Sequence, residues 1–160
     1  MSTADAPLAA APHVPGPPAS MLVVRAPYYR EVIDGMTQGA LRILADAGAH
    51  HEVLDVAGSF ELPQAIRIAL RGPRAFDGYV ALGCIVRGGT DHYDYICRET
   101  MAGLMSVALQ FGIALGSGVL TVHSIEQAVA RSGADGHNKG AEAAVAALLQ
   151  VAAGRKLGAQ

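Results

Sequence analysis

The chain has no tryptophan, two cysteines and 5% aromatic residues, and only 16% of its 160 residues carry charge. Each scarcity removes a class of protein. Cys84 and Cys97 cannot build a disulfide framework, and a domain of this length can bury a core without one. They read as reduced core thiols, with a catalytic cysteine served by His92 as the alternative. The longest apolar runs are strand-length, so no transmembrane helix is expected. A net charge of −2 with no basic block, zinc-ligand spacing or aromatic-basic interleaving argues against nucleic acid. Neither a GxGxxG fingerprint nor a P-loop occurs, so a nucleotide cofactor is not indicated. The opening MSTADAPLAAAPHVPGPPAS lacks a basic start and an unbroken apolar stretch, and holds five of the chain's 8 prolines. It is no secretory leader. Residues 1–20 read as a disordered or extended tail on a single domain, 21–160, of a cytoplasmic protein.

What is plentiful is apolar residues, 51%, and glycine, 19 in all, a mixture suited to close helix–sheet packing and to burial between subunits. The β-branched run 21–26 predicts a strand. Val32, Ile33, Met36, Ala40, Ile43, Leu44 and Ala47 then follow helical spacing up to Gly48. A second strand is expected over 52–58, and a helix from Glu61 through Leu62, Ala65, Ile66, Ala69 and Leu70 to Gly72-Pro73. The nearly continuous apolar stretch 78–86 suits a strand covered on both faces. A helix follows over 91–111, with Ile96, Met101, Leu104, Met105, Ala108 and Leu109 expected inward. A fourth strand spans 113–122. Ser124 and Gln127 have the spacing of a capping box, and a last helix runs over 141–153 beyond the loop 132–140. Strand and helix alternate throughout. The expectation is a three-layer α/β/α sandwich around a four-stranded, mostly parallel sheet of flavodoxin-like type.

Such sheets bind ligands beyond the carboxyl ends of their strands. That rule places Gly58 to Glu61, Arg87 to His92 and Thr121 to Ser124 on one rim. In 87-RGGTDH-92, Gly88 and Gly89 permit close backbone approach and unusual dihedrals, Thr90 adds a hydroxyl, and the first amides of the following helix are unpaired. Together they suit a phosphate. The positive end of a helix disfavours an imidazolium, so His92 in the first turn is placed to accept and then donate a proton. A surface or capping histidine is the plainer reading of that residue alone, and solvated surface cations that of Arg131 and Lys139. Asp91, His92 and Asp94 do not converge from one helix, so no metal site is expected.

Four stretches in this order, 58-GSFELP-63, 82-LGCIVRGGTDHYDY-95, 118-GVLTV-122 with 125-IEQAVARSG-133, and 138-NKGAEAA-144, resemble the lumazine synthase family. The resemblance runs from about Met21 to the last helix. It implies a cofactor-free, metal-free transferase of riboflavin biosynthesis. Such an enzyme condenses 5-amino-6-(D-ribitylamino)uracil with 3,4-dihydroxy-2-butanone 4-phosphate to 6,7-dimethyl-8-ribityllumazine, releasing phosphate and water. It further implies His92 as the proton-transfer residue, Gly89 and Thr90 as holders of the phosphate, Arg131 as the residue completing that grip, and Lys139 close by. Ser59, Phe60 and Glu61 would bind the ribityl chain, and Cys84, Ile85 and Val86 would line the pyrimidine pocket. Tyr28 matches the stacking aromatic, although APYYRE puts Pro27 and Tyr29 where the family usually has Arg and Asn, which leaves Tyr28 and Tyr29 both open as the stacker. Ser117 stands where Phe is frequent, and His123 and Asp91 are further departures. The family forms homopentamers, some of them assembled into decamers or icosahedral shells, with sites between subunits. Arg131, Ser117 and Lys139 would then serve a neighbour's site. A non-catalytic lumazine- or flavin-binding homologue and a shell protein with vestigial catalysis are the alternatives.

Overall fold

β1 (Ser20–Arg25) buries its four middle side chains, because it is a central strand with a neighbour on each side. A computed structural model describes residues 8–134 and 137–158 of the chain; parts of the tail, of the 132–140 loop and of the carboxyl end named above lie outside these. The remaining elements are α1 (Arg30–Asp46), β2 (His50–Asp55), a 3-10 turn (Ser59–Glu61), α2 (Leu62–Ala69), β3 (Gly78–Val86), α3 (His92–Phe111), β4 (Ala114–Val122), α4 (Ile125–Val129) and α5 (Lys139–Leu157). All strands are parallel in the order β2-β1-β3-β4, the flavodoxin-like arrangement, with its switch point between β1 and β3. No helix of the described residues is long and apolar enough to cross a membrane.

Two apolar clusters flank the sheet. On one face Ile33, Met36, Ile43 and Leu44 of α1 meet Ala144, Ala147 and Leu148 of α5 over Val23, Val80 and Leu82. On the other, Leu62 and Ile66 of α2 and Leu104 of α3 cover Leu22, Val24, Tyr79 and Ala81. The apolar spacing read for α1 is the spacing that is buried, and the helix turns off at Gly48, whose φ of +68° costs glycine nothing. Small residues set how close α5 comes. A Cβ at Gly116 would land on the Ala143 carbonyl, and one at Gly140 on the Met36 carbonyl.

Several expectations need correcting. β2 ends at Asp55 rather than Gly58, because its register partner β1 ends at Arg25 and no other strand pairs with it. In α3 only Thr100 and Leu104 are fully buried, while Met101, Met105 and Leu109 are 45%, 61% and 76% exposed. That helix is apolar on two adjacent faces, and the sheet covers one. Ser124 makes no side-chain cap, and the Gln127 side chain accepts instead from the His123 amide at 2.9 Å, one residue early for a capping box. α5 starts earlier than expected, at Lys139, because Asn138 caps it, and ends later, at Leu157, with Gly158 as its cap. The stretch before β1 is held to the body: Ala9, Ala11 and Val14 pack on the core, and Arg155 donates to the carbonyls of Pro15 and Pro17 at 2.8 and 2.7 Å.

These contacts separate two kinds of glycine. Gly116→Ala should cost about 1–3 kcal/mol or more by overpacking α5 against β4. Gly154→Ala, in a helix with nothing within 4 Å of the new methyl, should instead stabilise by about 1 kcal/mol. Thermal melts followed by circular dichroism check both, and equal melting temperatures would contradict this packing.

Candidate active site

A cavity of about 680 Å³ opens where the switch-point rule puts it, between the turns that follow β1 and β3. Tyr28 and Tyr29 come from the first turn, Ala57 to Glu61 from the segment after β2, and Cys84, Ile85, Val86, Gly88, Thr90, His92, Tyr93 and Ile96 from β3 and the start of α3. A wider groove of about 800 Å³ lies far from these residues, between Pro15–Pro17 and the end of α5. Its Arg155 is already engaged by Pro15, Pro17 and Asp77, so it offers no comparable chemistry.

Each wall has a local cause. Arg25, the last residue of β1, donates to Asp55 at 2.6 Å and to Asp34 at 3.0 Å, tying together β1, β2 and α1 just below the tyrosine turn. Its own pKa is raised, first by the Asp55 hydrogen bond. Gly83 makes room for the 3-10 turn, since a Cβ there would sit 2.7 Å from the Ser59 Oγ. Ser59 is therefore buried against β3 while Phe60 is exposed and Glu61 half-buried. Tyr93 packs beneath the Arg87 guanidinium and edge-on to the His123 ring, and Arg87 also pairs with Asp94 at 3.5 Å. His92 opens α3 on the exposed rim, where the first amides of the helix have no partner within it.

Ser117, Arg131 and Lys139 lie elsewhere. They line a shallow cleft of about 250 Å³ along β4, one of the two edge strands of the sheet. The Arg131 side chain donates to the Gln127 carbonyl at 2.8 Å, and its carbonyl accepts from the Lys139 amide at 2.9 Å. Lys139 is held by both oxygens of Glu142, at 2.8 and 2.6 Å. Asn138 fixes the assembly. Its amide nitrogen donates to the carbonyls of Gly35, Ser132 and Gly133, and its oxygen accepts from the amides of Gly140 and Ala141. The candidate residues thus form two groups on different sides of β4.

Two details differ from the sequence reading. Neither Gly88 nor Gly89 has a positive φ, so the turn needs no unusual dihedral. With nothing within 4 Å of either Cβ position, their smallness serves whatever approaches from outside, and Gly88 rather than Gly89 lines the cavity. Cys84 is no nucleophile: burial pushes its thiol up to about 11, leaving it protonated at neutral pH. Sequence reasoning named Ile96 only as an inward residue of its helix and assigned none of Tyr93, Ile96 and Glu142 to the site. The first two share the inner face of α3 with Thr100, and Glu142 follows Lys139 at i,i+3, so helical spacing carried the signal for all three.

Fold and site define an α/β enzyme of flavodoxin-like topology whose ligand cavity sits at the switch point of the sheet. The chain belongs to the 6,7-dimethyl-8-ribityllumazine synthase family, whose sequence profile matches residues 18–154. It is 40% identical over 146 residues to the 6,7-dimethyl-8-ribityllumazine synthase of Paramagnetospirillum magneticum, covering 88% of this chain and 97% of that one. It is 41% identical over 143 residues to the protein of the same name from Rhodopseudomonas palustris, covering 87% and 88%.

Cys84 gives a direct test of the cavity wall. At pH 8 a thiol-alkylating reagent should modify it on the order of a hundredfold more slowly than free cysteine, with the rate rising steadily towards pH 11. Mass spectrometry of the alkylated peptide reads this, and rapid labelling at pH 8 would show that the wall is open and solvated.

Proposed function

We propose that the chain catalyses the condensation of 5-amino-6-(D-ribitylamino)uracil with 3,4-dihydroxy-2-butanone 4-phosphate to 6,7-dimethyl-8-ribityllumazine, in sites shared between neighbouring copies in a cytoplasmic homopentamer. The observation that carries this reading is the partition of the candidate residues. One cavity gathers Tyr28, Ser59 to Glu61, Cys84 to Val86, Thr90 and His92, while Ser117, Arg131 and Lys139 lie on the free edge of β4. A neighbour's β4 edge brought to the cavity completes the set. The uncovered Met101, Met105 and Leu109 on α3, with Ile68 on α2, supply apolar surface for such contacts.

In this site the pyrimidine lies against Tyr28 and the Cys84–Val86 strand end, and the ribityl chain reaches Ser59 and Glu61. The butanone phosphate takes the Thr90 hydroxyl and the free amides opening α3, and the neighbour's Arg131 adds a guanidinium. The ring amine attacks the ketone to form an imine, with loss of water. Phosphate leaves by elimination, which generates a second carbonyl after tautomerisation, and the second amine closes the new ring on that carbonyl with loss of a second water. His92 stands beside the phosphate-binding turn, where it can take and return the protons these steps move. Lys139, held by Glu142, adds positive potential next to Arg131. A non-catalytic flavin or lumazine carrier is not favoured, since such a protein has no use for a phosphate grip beside an imidazole.

The test is product absorbance above the spontaneous rate on mixing protein with both substrates. His92→Ala should slow condensation by up to about 10²–10⁴-fold while ribitylaminouracil still binds, because a proton shuttle acts in the transition state. Arg131→Ala should raise KM for the phosphate substrate. Unfolding and refolding the two variants together should restore part of the activity, since some sites then combine an intact His92 with a neighbour's intact Arg131. No recovery in the mixture would place both residues in one subunit's site.

A further inference from the structure

Two tyrosines stand side by side at the mouth of the cavity, and their surroundings differ. Tyr28 is 75% exposed. Tyr29 is half-buried and packed against the main apolar cluster, and its carbonyl accepts from the Ile33 amide at 3.0 Å as α1 begins. The rings meet edge to face, with centroids 5.2 Å apart and planes at 70°. We propose that Tyr29 is a positioning residue: anchored in the core, its ring holds the exposed Tyr28 ring with one face open to the cavity, ready to stack on a planar heterocycle. This rests on the functional reading above, in which Tyr28 is the stacking surface, and it assigns separate tasks to the two rings.

The geometry carries the argument. An exposed tyrosine is free to turn about two side-chain bonds, and stacking on a ligand would have to freeze that motion. A perpendicular partner restrains it beforehand. Whichever ring supplies the edge, at least one face of Tyr28 is left uncovered by Tyr29. The ring behind Tyr28 cannot drift either, because α1 fixes its backbone and the core packs its side. The Tyr29 ring, not its hydroxyl, does this. The role acts equally on bound substrate and transition state, so it affects KM and leaves kcat alone.

Steady-state kinetics on Tyr29→Phe, Tyr29→Leu, Tyr28→Leu and the double Leu variant test this, with melting curves to confirm folding. Tyr29→Met replaces Tyr29→Leu should the latter not fold. Tyr29→Phe should keep KM for the ribitylaminopyrimidine near that of the unaltered chain. Tyr29→Leu should raise it about three- to tenfold, the range expected for a lost aromatic pair, with kcat and KM for the phosphate substrate unchanged. Tyr28→Leu should raise it at least as much, and the double variant no further, because Tyr29 acts through Tyr28. Additive losses would overturn the proposal in favour of direct contact, and an equal loss in Tyr29→Phe would assign the hydroxyl instead. An unchanged KM in Tyr29→Leu or Tyr28→Leu would also overturn it. Failure of the unaltered chain to form product would instead refute the functional reading on which it stands.

Discussion

A single buried amide organises much of this molecule. Asn138 is 2% exposed, and its side chain uses both donor hydrogens and its acceptor oxygen. It caps α5, closes the turn that carries Arg131, and reaches across to Gly35 of α1, 103 residues earlier in the chain. Removing it would leave the carbonyls and amides it serves without partners in a dry interior, a heavier loss than that of an exposed helix cap. Its seat exists because α1 presents Gly39 at that point, where any Cβ would collide with the amide group. Lys139 follows directly, and Gly118 on β4 lets its backbone lie close to the strand. The cations along β4 thus have backbones fixed on a framework of small residues and one polar hub.

The opposite group is positioned by strand ends. β1 stops at Arg25, opposite Leu82, while β3 runs on beside β4 to Val86, so Cys84 to Val86 extend beyond the last β1 pair and line the space between the tyrosine turn and the start of α3. Arg25 braces one wall through two carboxylates, and Gly83 admits Ser59 to the other. In the proposed site, polar ribityl contacts and apolar ring contacts come from different segments, which suits a molecule that is flat at one end and hydroxylated at the other. Cys84 suits this place because a protonated, buried thiol packs like a small apolar group without competing for the amine's electrophile.

Much of this was legible in the sequence, and the misses have physical causes. α1 and the central strands were readable because one face of a helix, or both faces of a strand, is buried continuously within the chain. α3 misled, since Met101, Met105 and Leu109 repeat at helical spacing as well as Leu104 does, and periodicity cannot say which neighbour covers a stripe. β2 was placed two residues late at its start and three at its end because an edge strand with every residue exposed has no burial pattern to reveal its ends. At the site, residue types pointed to the rim. Which of two adjacent tyrosines is anchored and which is open depends on where the core lies, and that is a property of the fold. The Ser124–Gln127 spacing was right for a capping box, yet the glutamine turned to the His123 amide instead.

The division of the site by β4 has a consequence for how copies can be joined. In the proposed assembly each subunit offers a cavity on one side and a pair of cations on the other, which would make the contact head-to-tail rather than self-complementary. A chain of such contacts left open would strand an unmated cavity at one end and an idle cation pair at the other. Closing it into a ring gives every seam a working centre, so that ring closure itself determines how many centres the assembly has.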